Sequence, residues 1–296
     1  MKIFDSFMYF NEDLILDIRL NELDRFVDKF VIVESTYTHS GEKKKLNFDI
    51  NKYRDFSKKI IYITSNDFPT DYQKIDTKDT QEERTSKKLL NGIRMDNYQR
   101  NKINEGLISA SDDDLILLSD IDEIPNLHSV NLDDISSQIL VFNQFFFHYK
   151  FNLFLKGLNF FGTKGCLKKY FKSPQWLRNI KNKKYSFFRL DTFFSNKKYR
   201  NLKFVQNGGW HFSNIMDANQ IIYKLKSYAH HAEFPESKLS IETFNKLIQD
   251  RKIMYDHAAD SKKNKYNKEI YLDIFDHDLL PAYIKKKEEK FSKWLI

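Results

Sequence analysis

The sequence predicts an α/β fold: a mostly parallel sheet flanked by helices, followed by a mixed C-terminal part. Two observations predict it. Short apolar runs alternate with stretches of helical periodicity up to residue 120, the signature of strand–helix–strand units. One run, residues 115–118, is apolar without interruption and leads into Ser119, Asp120 and Asp122. An uninterrupted run marks a strand buried on both faces, as parallel sheets require. Open sheets of this kind receive ligands at the carboxyl ends of their strands.

The elements follow in order. Residues 2–9 read as a first strand. Asn11 is a suitable N-cap, Glu12 and Asp13 favour a helix start, and Leu16, Leu20, Leu23 and Val27 recur at helical spacing. Residues 30–33 and 60–63 are further strands, and the polar residues 64–80 read as loop. Residues 81–109 read as one long helix or two, with Gly92 as a weak point. The strand at 115–119 closes this half. Beyond it lie a β-rich aromatic run at 139–149, a Lys- and aromatic-rich region at 164–203, and helical segments at 217–231 and 240–254. The last residues, from Ile284 through Phe291 and Trp294, form a basic amphipathic helix. Such a helix docks on its own domain or, alternatively, makes peripheral contact with an anionic membrane. The division expected is a first half at 1–127, a second half at 128–260 and a helical tail at 261–296, all within one domain.

Composition narrows the partners. The chain has 296 residues, with 49 Lys and Arg against 41 Asp and Glu, a formal charge of +8. That balance suits an anionic ligand such as a nucleotide diphosphate or a lipid-linked phosphate, and would also suit nucleic acid. No nucleic-acid-binding motif is present. The 27 Phe and 16 Tyr serve a core or stack on sugar rings. A single cysteine, Cys166, excludes an internal disulfide framework. No signal peptide and no membrane span is legible, so a cytoplasmic protein is expected. No glycine-rich phosphate loop, CxxC, HExxH or GxSxG occurs.

Without a glycine loop, the weight of phosphate binding falls on Asp120 and Asp122. In an extended segment residues i and i+2 point to one side. Two carboxylates so placed can hold a divalent cation, and the cation a diphosphate. This is the DxD logic of nucleotide-sugar transfer. A short acidic pair also ends many strands as a solvated turn.

Several segments together resemble glycosyltransferase family 17, the family of the β-1,4-mannosyl-glycoprotein β-1,4-N-acetylglucosaminyltransferases. They are residues 2–12, with Asp5, Ser6, Asn11 and Glu12; residues 18–23, with Arg19, Asn21 and Glu22; and residues 30–35, ending in Glu34 and Ser35. They continue with Tyr98, Gln99, Arg100 and Asn101; with residues 113–125, which include Asp120, Asp122, Glu123 and Pro125; and with Gly209, Trp210, His211 and Ser213. The last is residues 226–234, with Lys226, His230, His231 and Glu233. The resemblance covers roughly residues 1–235. It implies a GT-A architecture, with residues 1–127 as a Rossmann-type nucleotide-sugar-binding half and residues 128–260 as an acceptor-binding half, a UDP-sugar donor (UDP-N-acetylglucosamine), inverting transfer to a glycan, and Mn²⁺ or Mg²⁺ at the DxD. Beside the animal enzymes, a chain without their N-terminal anchor and stem is expected. A surface polysaccharide or lipid-linked oligosaccharide is therefore the better acceptor.

Within that frame Asp122 is the foremost metal ligand. Asp120 binds the metal directly, through water, or contacts the ribose. Glu123 reads as a helix-start or supporting group. His211 completes the metal set through a neutral imidazole, with Gly208 and Gly209 allowing close backbone approach; the competing role is a structural histidine. Donor contacts are assigned to Asp5, Glu34, Arg94, Asn97, Arg100, Asn101, Asp120, Trp210 and Lys226. Arginine suits phosphate through its bidentate fork, while each of these residues also fits a plain structural or solvated role. Glu233 is the candidate general base for the acceptor hydroxyl. Two other classes remain open: a metal-dependent nucleotidyltransferase, which would normally carry a basic or glycine-rich phosphate loop near its start, and a non-catalytic basic glycan- or nucleic-acid-binding protein, whose binding would fall with salt and ignore metal.

Overall fold

The strands of the N-terminal half carry apolar runs covered on both faces, and their period-2 alternation sorts side chains between two cores. Phe30, Ile32, Leu115 and Leu117 enter one core. Their neighbours Val31, Val33, Ile116 and Leu118 enter the other. The computed structural model describes residues 1–132, 135, 139–186, 188–227, 240–254 and 269–296.

Four parallel strands lie in the order β3–β2–β1–β4: β1 (Ile3–Tyr9), β2 (Lys29–Ser35), β3 (Ile60–Ser65) and β4 (Leu115–Asp120). The chain winds outward from β1 to β3 and then returns to the other flank of β1, which makes the β1/β4 boundary a topological switch point. Met8 pairs there with Asp120. Helix α1 (Asp13–Leu23) covers one face, and α3 (Ile103–Gly106) covers the other.

Beyond β4 the sheet continues without a break but turns mixed. β8 (Phe160–Leu167) runs antiparallel to β4, and β6 (Ile139–His148) antiparallel to β8. β10 (Gly209–Ser213) and β9 (Leu202–Val205) lie parallel to β6, and the short β5 (Glu123–Pro125) pairs antiparallel with β10. β7 (Leu153–Phe154) and β13 (Asp273–Ile274) extend the far edge. The expected α/β class with a parallel first half and a mixed second half is what the chain adopts.

Several local expectations are corrected. Asn11 is not the cap of α1: Glu12 holds that position, and its carboxylate accepts from the backbone N–H groups of Phe10 and Asn11 at 3.0 Å each. The long helical stretch breaks at Lys102 rather than at Gly92, giving α2 (Gln81–Asn101) and α3. Of the expected segment 217–231 the structure forms α5 (Ala218–Ser227), and residues 228–231 lie outside the described residues; the segment 240–254 becomes α6 (Ile241–Gln249), followed by Arg251 in the left-handed region (φ 53°), which stops the helix before β11 (Lys252–Ile253), the partner of β12 (Ile270–Tyr271). The tail is not one helix. Lys287 leaves helical geometry and divides α7 (Ala282–Lys286) from α8 (Glu288–Phe291). Its apolar side is already occupied, since Ile284 and Phe291 are fully buried in the α1-side core. Tyr283 N–H donates to Glu22 at 2.8 Å and Lys290 pairs with Asp17 at 2.6 Å. Docking on the chain's own body therefore describes the tail. No helix of the described residues is long and apolar enough to cross a membrane.

Candidate functional site

The carboxyl ends of β1 and β4, the loop after β2, and the facing parts of α2 and α5 enclose a cavity of about 650 Å³. Asp120 and Asp122 line it, as the switch-point rule requires. Their local geometry differs from a simple strand end. Asp120 is the last residue of β4, Ile121 and Asp122 form a turn, and Glu123 begins β5 rather than a helix. The two carboxylates reach one cavity through a turn, not through alternation along one strand.

That turn is held from beneath by Arg19 of α1. Its guanidinium donates to the backbone carbonyls of Asp120 (3.2 Å), Ile121 (3.1 Å) and Glu123 (2.9 Å), and to Ser119 Oγ (3.0 Å). Above the turn the side chains are sorted by charge. Asp120 accepts from Arg178 at 2.7 Å and Arg100 at 3.4 Å. Arg178, on α4 (Pro174–Asn179), also grips Glu123 with both terminal nitrogens, at 2.8 and 2.9 Å. Arg100 is shared with Asp96 and Gln175. Asp122 instead faces Lys224 of α5 at 3.3 Å and His211 Nε2 at 3.5 Å, and Lys224 lies 3.5 Å from Glu12.

These contacts set the ionisation. Burial opposes the charge on Asp122, but Lys224 and His211 outweigh it and hold the carboxyl well below its ordinary range. Burial likewise opposes charge on Asp120, and Arg178 and Arg100 hold it ionised. Burial disfavours the Lys224 ammonium, yet Asp122 and Glu12 raise its pKa. The cavity floor is thus a layer of ionised carboxylates covered by three fixed cations, Arg100, Arg178 and Lys224. Each cation is matched to acids of the site: the terminal nitrogens of Arg100 and Arg178 are fully engaged, and Lys224 bridges Asp122 and Glu12.

His211 stacks on Phe160 at 4.2 Å and meets Phe146 edge-on at 4.6 Å. Its Nδ1 is buried with no hydrogen-bond partner among the described residues. Gly208 and Gly209 serve backbone packing rather than ligand approach. A Cβ on Gly209, at φ 131°, would lie 2.1 Å from the Ile124 carbonyl oxygen, so glycine there permits the β10–β5 pairing that brings His211 beside Glu123.

Of the residues the sequence singles out, the cavity gathers Asn97, Arg100, Asp120, Asp122 and His211. The others are placed elsewhere. Asp5 is fully buried under the turn against Arg19. Glu34 is also fully buried, its carboxylate accepting from Lys44, from the N–H groups of Asn47 and Phe48, and from the Tyr62 hydroxyl. It secures the 44–48 segment in place of a ribose. Arg94 pairs with Asp71, and Asn101 accepts from Gln175 N–H at the start of α4. Trp210 alternates with His211 on β10 and so enters the opposite core, where its indole N–H donates to the Leu279 carbonyl at 2.9 Å. Lys226 is exposed, and Lys224, one position before Leu225, faces the cavity in its stead. Glu233, with His230 and His231, lies outside the described residues. Arg19 and Glu12 belong to the segments of the resemblance, which gives them no role in the site; Arg178 and Lys224 are the participants that sequence reasoning missed. Lys224 was within reach of it, because α5 buries Ile221 and Leu225 and so turns the intervening Lys224 inward.

Among the described residues no group of three or more His, Cys, Asp or Glu side chains is arranged to hold a metal. Asp122 and His211 nevertheless face one another across 3.5 Å. A carboxylate with a neutral imidazole suits a divalent ion whose other positions go to phosphate oxygens and water.

A doubly covered sheet whose switch point opens into a cavity lined by paired acids and bases defines an α/β protein with a polar site at its strand ends. The model of glycosyltransferase family 17 matches residues 1–292, and the chain belongs to that family. Comparison with curated proteins gives no match. Membership makes the chain a glycosyltransferase, with a sugar donor and an acceptor.

Proposed function

We propose that the cavity binds a UDP-sugar, UDP-N-acetylglucosamine in the first instance, and that the protein transfers the sugar with inversion to a polysaccharide or lipid-linked oligosaccharide. The observation that carries this reading is the cation layer of Arg100, Arg178 and Lys224 over the Asp120–Asp122 turn, at the place where an α/β sheet receives nucleotides. Asp122 and His211 are the residues that would hold Mn²⁺ or Mg²⁺, with Asp120 contributing through water. The ion would supply charge neutralisation at the diphosphate.

The chain's own groups have separate tasks. In an inverting transfer the acceptor oxygen attacks the anomeric carbon while the bond to the diphosphate breaks. The acceptor hydroxyl gives its proton to a carboxylate, for which Glu233 is the proposed base. The departing diphosphate keeps its electron pair, and Arg100, Arg178 and Lys224 are set to take up the negative charge without reorganising. Phe10, which stacks on Tyr223, and Tyr37 also line the cavity and give it aromatic walls for a base or sugar.

Calorimetry with UDP tests this without a known acceptor. Mn²⁺-dependent binding that EDTA abolishes and Asp122→Ala removes supports the reading. Folded wild-type protein that binds UDP under neither condition overturns it.

A further inference from the structure

The segment between Lys181 and Arg200 is built against the usual rule for a protein surface. Phe188 is 86% exposed, Leu190 70%, Phe193 68% and Phe194 91%. Leu190, Phe193 and Phe194 join none of the apolar cores formed among the described residues. Around them stand seven cations, Lys181, Lys183, Lys184, Arg189, Lys197, Lys198 and Arg200, against the single acid Asp191. That acid is already taken up, by Arg189 at 2.8 Å and Lys198 at 2.6 Å.

The apolar tip is held outward by specific bonds. Lys181 N–H donates to the Lys197 carbonyl at 2.8 Å and closes the base of the loop. Arg200 donates to Thr192 Oγ1 and to the Arg189 carbonyl, each at 2.8 Å, and Thr192 is buried. A 3₁₀ turn at Leu190–Thr192 then turns its polar residue inward and its neighbours Leu190, Phe193 and Phe194 outward. The segment begins two residues after Asn179, which lines the cavity, and three after Arg178, which grips Asp120.

We propose that residues 181–200 form a membrane-docking loop for an anionic phospholipid surface. Phe188, Leu190, Phe193 and Phe194 enter the boundary between headgroups and acyl chains while the ring of lysines and arginines meets the headgroups. Apolar side chains flanked by cations is the composition such surfaces select. Charge complementarity alone would also admit nucleic acid. The bilayer is favoured because Leu190 offers no π-face for a base and the sequence carries no nucleic-acid-binding motif. The docking surface thus lies here and not on the C-terminal helices, whose apolar side is buried. The inference is independent of the UDP-sugar reading.

The test is flotation of the full chain with phosphatidylcholine vesicles, with and without phosphatidylserine, at physiological salt. Two variants accompany it: Phe188→Ser/Leu190→Ser/Phe193→Ser/Phe194→Ser, and Lys183→Glu/Lys184→Glu/Lys197→Glu. Circular dichroism and UDP calorimetry report whether each variant keeps its fold and its nucleotide binding. Capture by phosphatidylserine vesicles, reduced at least about tenfold in both variants, is the expected result. Wild-type protein that stays unbound overturns the proposal. So does an apolar variant that binds vesicles as the wild type does, because the contact is then electrostatic only. A single-stranded oligonucleotide that displaces the protein from vesicles at lower concentration than soluble phosphatidylserine headgroup analogues would reassign the surface to nucleic acid.

Discussion

Arg19 and Asp5 form a bidentate ion pair, at 2.6 and 2.7 Å, with neither side chain exposed to solvent. The pair joins α1 to β1, and the same guanidinium continues to three carbonyls of the turn that carries Asp120 and Asp122. Removing one partner leaves an uncompensated buried charge. Asp5→Ala is expected to cost about 3–5 kcal/mol of stability, read by urea unfolding. Any protein that still folds should bind UDP less well, since Asp5 touches no ligand but fixes the group that holds the turn. An Asp5→Ala protein as stable as wild type would show that the Arg19 charge is compensated from elsewhere.

Arg178 has two tasks that separate by assay. It is the counter-charge of Glu123, which is 1% exposed, and a donor to Asp120 at the cavity. Arg178→Met should destabilise the chain by about 3 kcal/mol through Glu123. The double variant with Glu123→Gln should recover part of that loss. UDP affinity should remain at least about tenfold reduced in both. Recovery of UDP binding along with stability would assign Arg178 to structure alone.

These two arginines mark where the sequence stops being informative. The parallel half was legible because strands covered on both faces carry apolar runs, as at residues 115–118 and 30–33. The location of the site followed from the strand order that such a pattern implies. Its membership did not. Asp5 and Glu34 stand at strand positions that suggest ligand contact, yet each has its lone pairs filled by protein donors, which only the three-dimensional partners Arg19, Lys44 and Tyr62 reveal. Trp210 and His211 are adjacent in sequence, and β10's alternation sends them to opposite sides of the sheet. Arg178 lies in a Lys-rich region without clear periodicity, and nothing in its local sequence separates it from neighbouring surface cations.

Lys224 and Lys226 give a paired comparison on one helix. Lys224 faces Asp122 and Glu12 in the cavity, while Lys226 is exposed. Lys224→Ala should lower UDP affinity by about tenfold or more, the scale of one charge-assisted bond. Lys226→Ala should leave it unchanged. Equal losses in the two would point to a diffuse electrostatic effect and against a specific contact, and raising the salt concentration would then reduce wild-type binding to the level of both variants.

Lys164 predicts a pH dependence of stability. Its side chain on β8 is buried, and Nζ donates to the carbonyls of Arg178 at 2.8 Å and Ile180 at 2.5 Å, closing the end of α4. A neutral amine still carries two N–H donors, enough for both carbonyls. Burial, with the Arg178 charge added and Glu123 and Lys181 acting in opposite directions, pushes the amine down from 10.5 to about 7. Between those values the unfolded chain binds the proton and the folded chain does not, so stability rises with pH across that window. Below pH 7 both states are protonated and the full penalty of a buried ammonium is present. The expected slope is on the order of 1 kcal/mol per pH unit. Thermal unfolding at intervals from pH 6 to about pH 10, for wild type and Lys164→Met, isolates it, because other titrating groups cancel in the difference. The variant should lose the rise while carrying a constant offset for two carbonyls without a donor. Parallel curves would mean that Lys164 keeps its proton in the folded chain, and that α4 and its Arg178 are anchored by an ammonium after all.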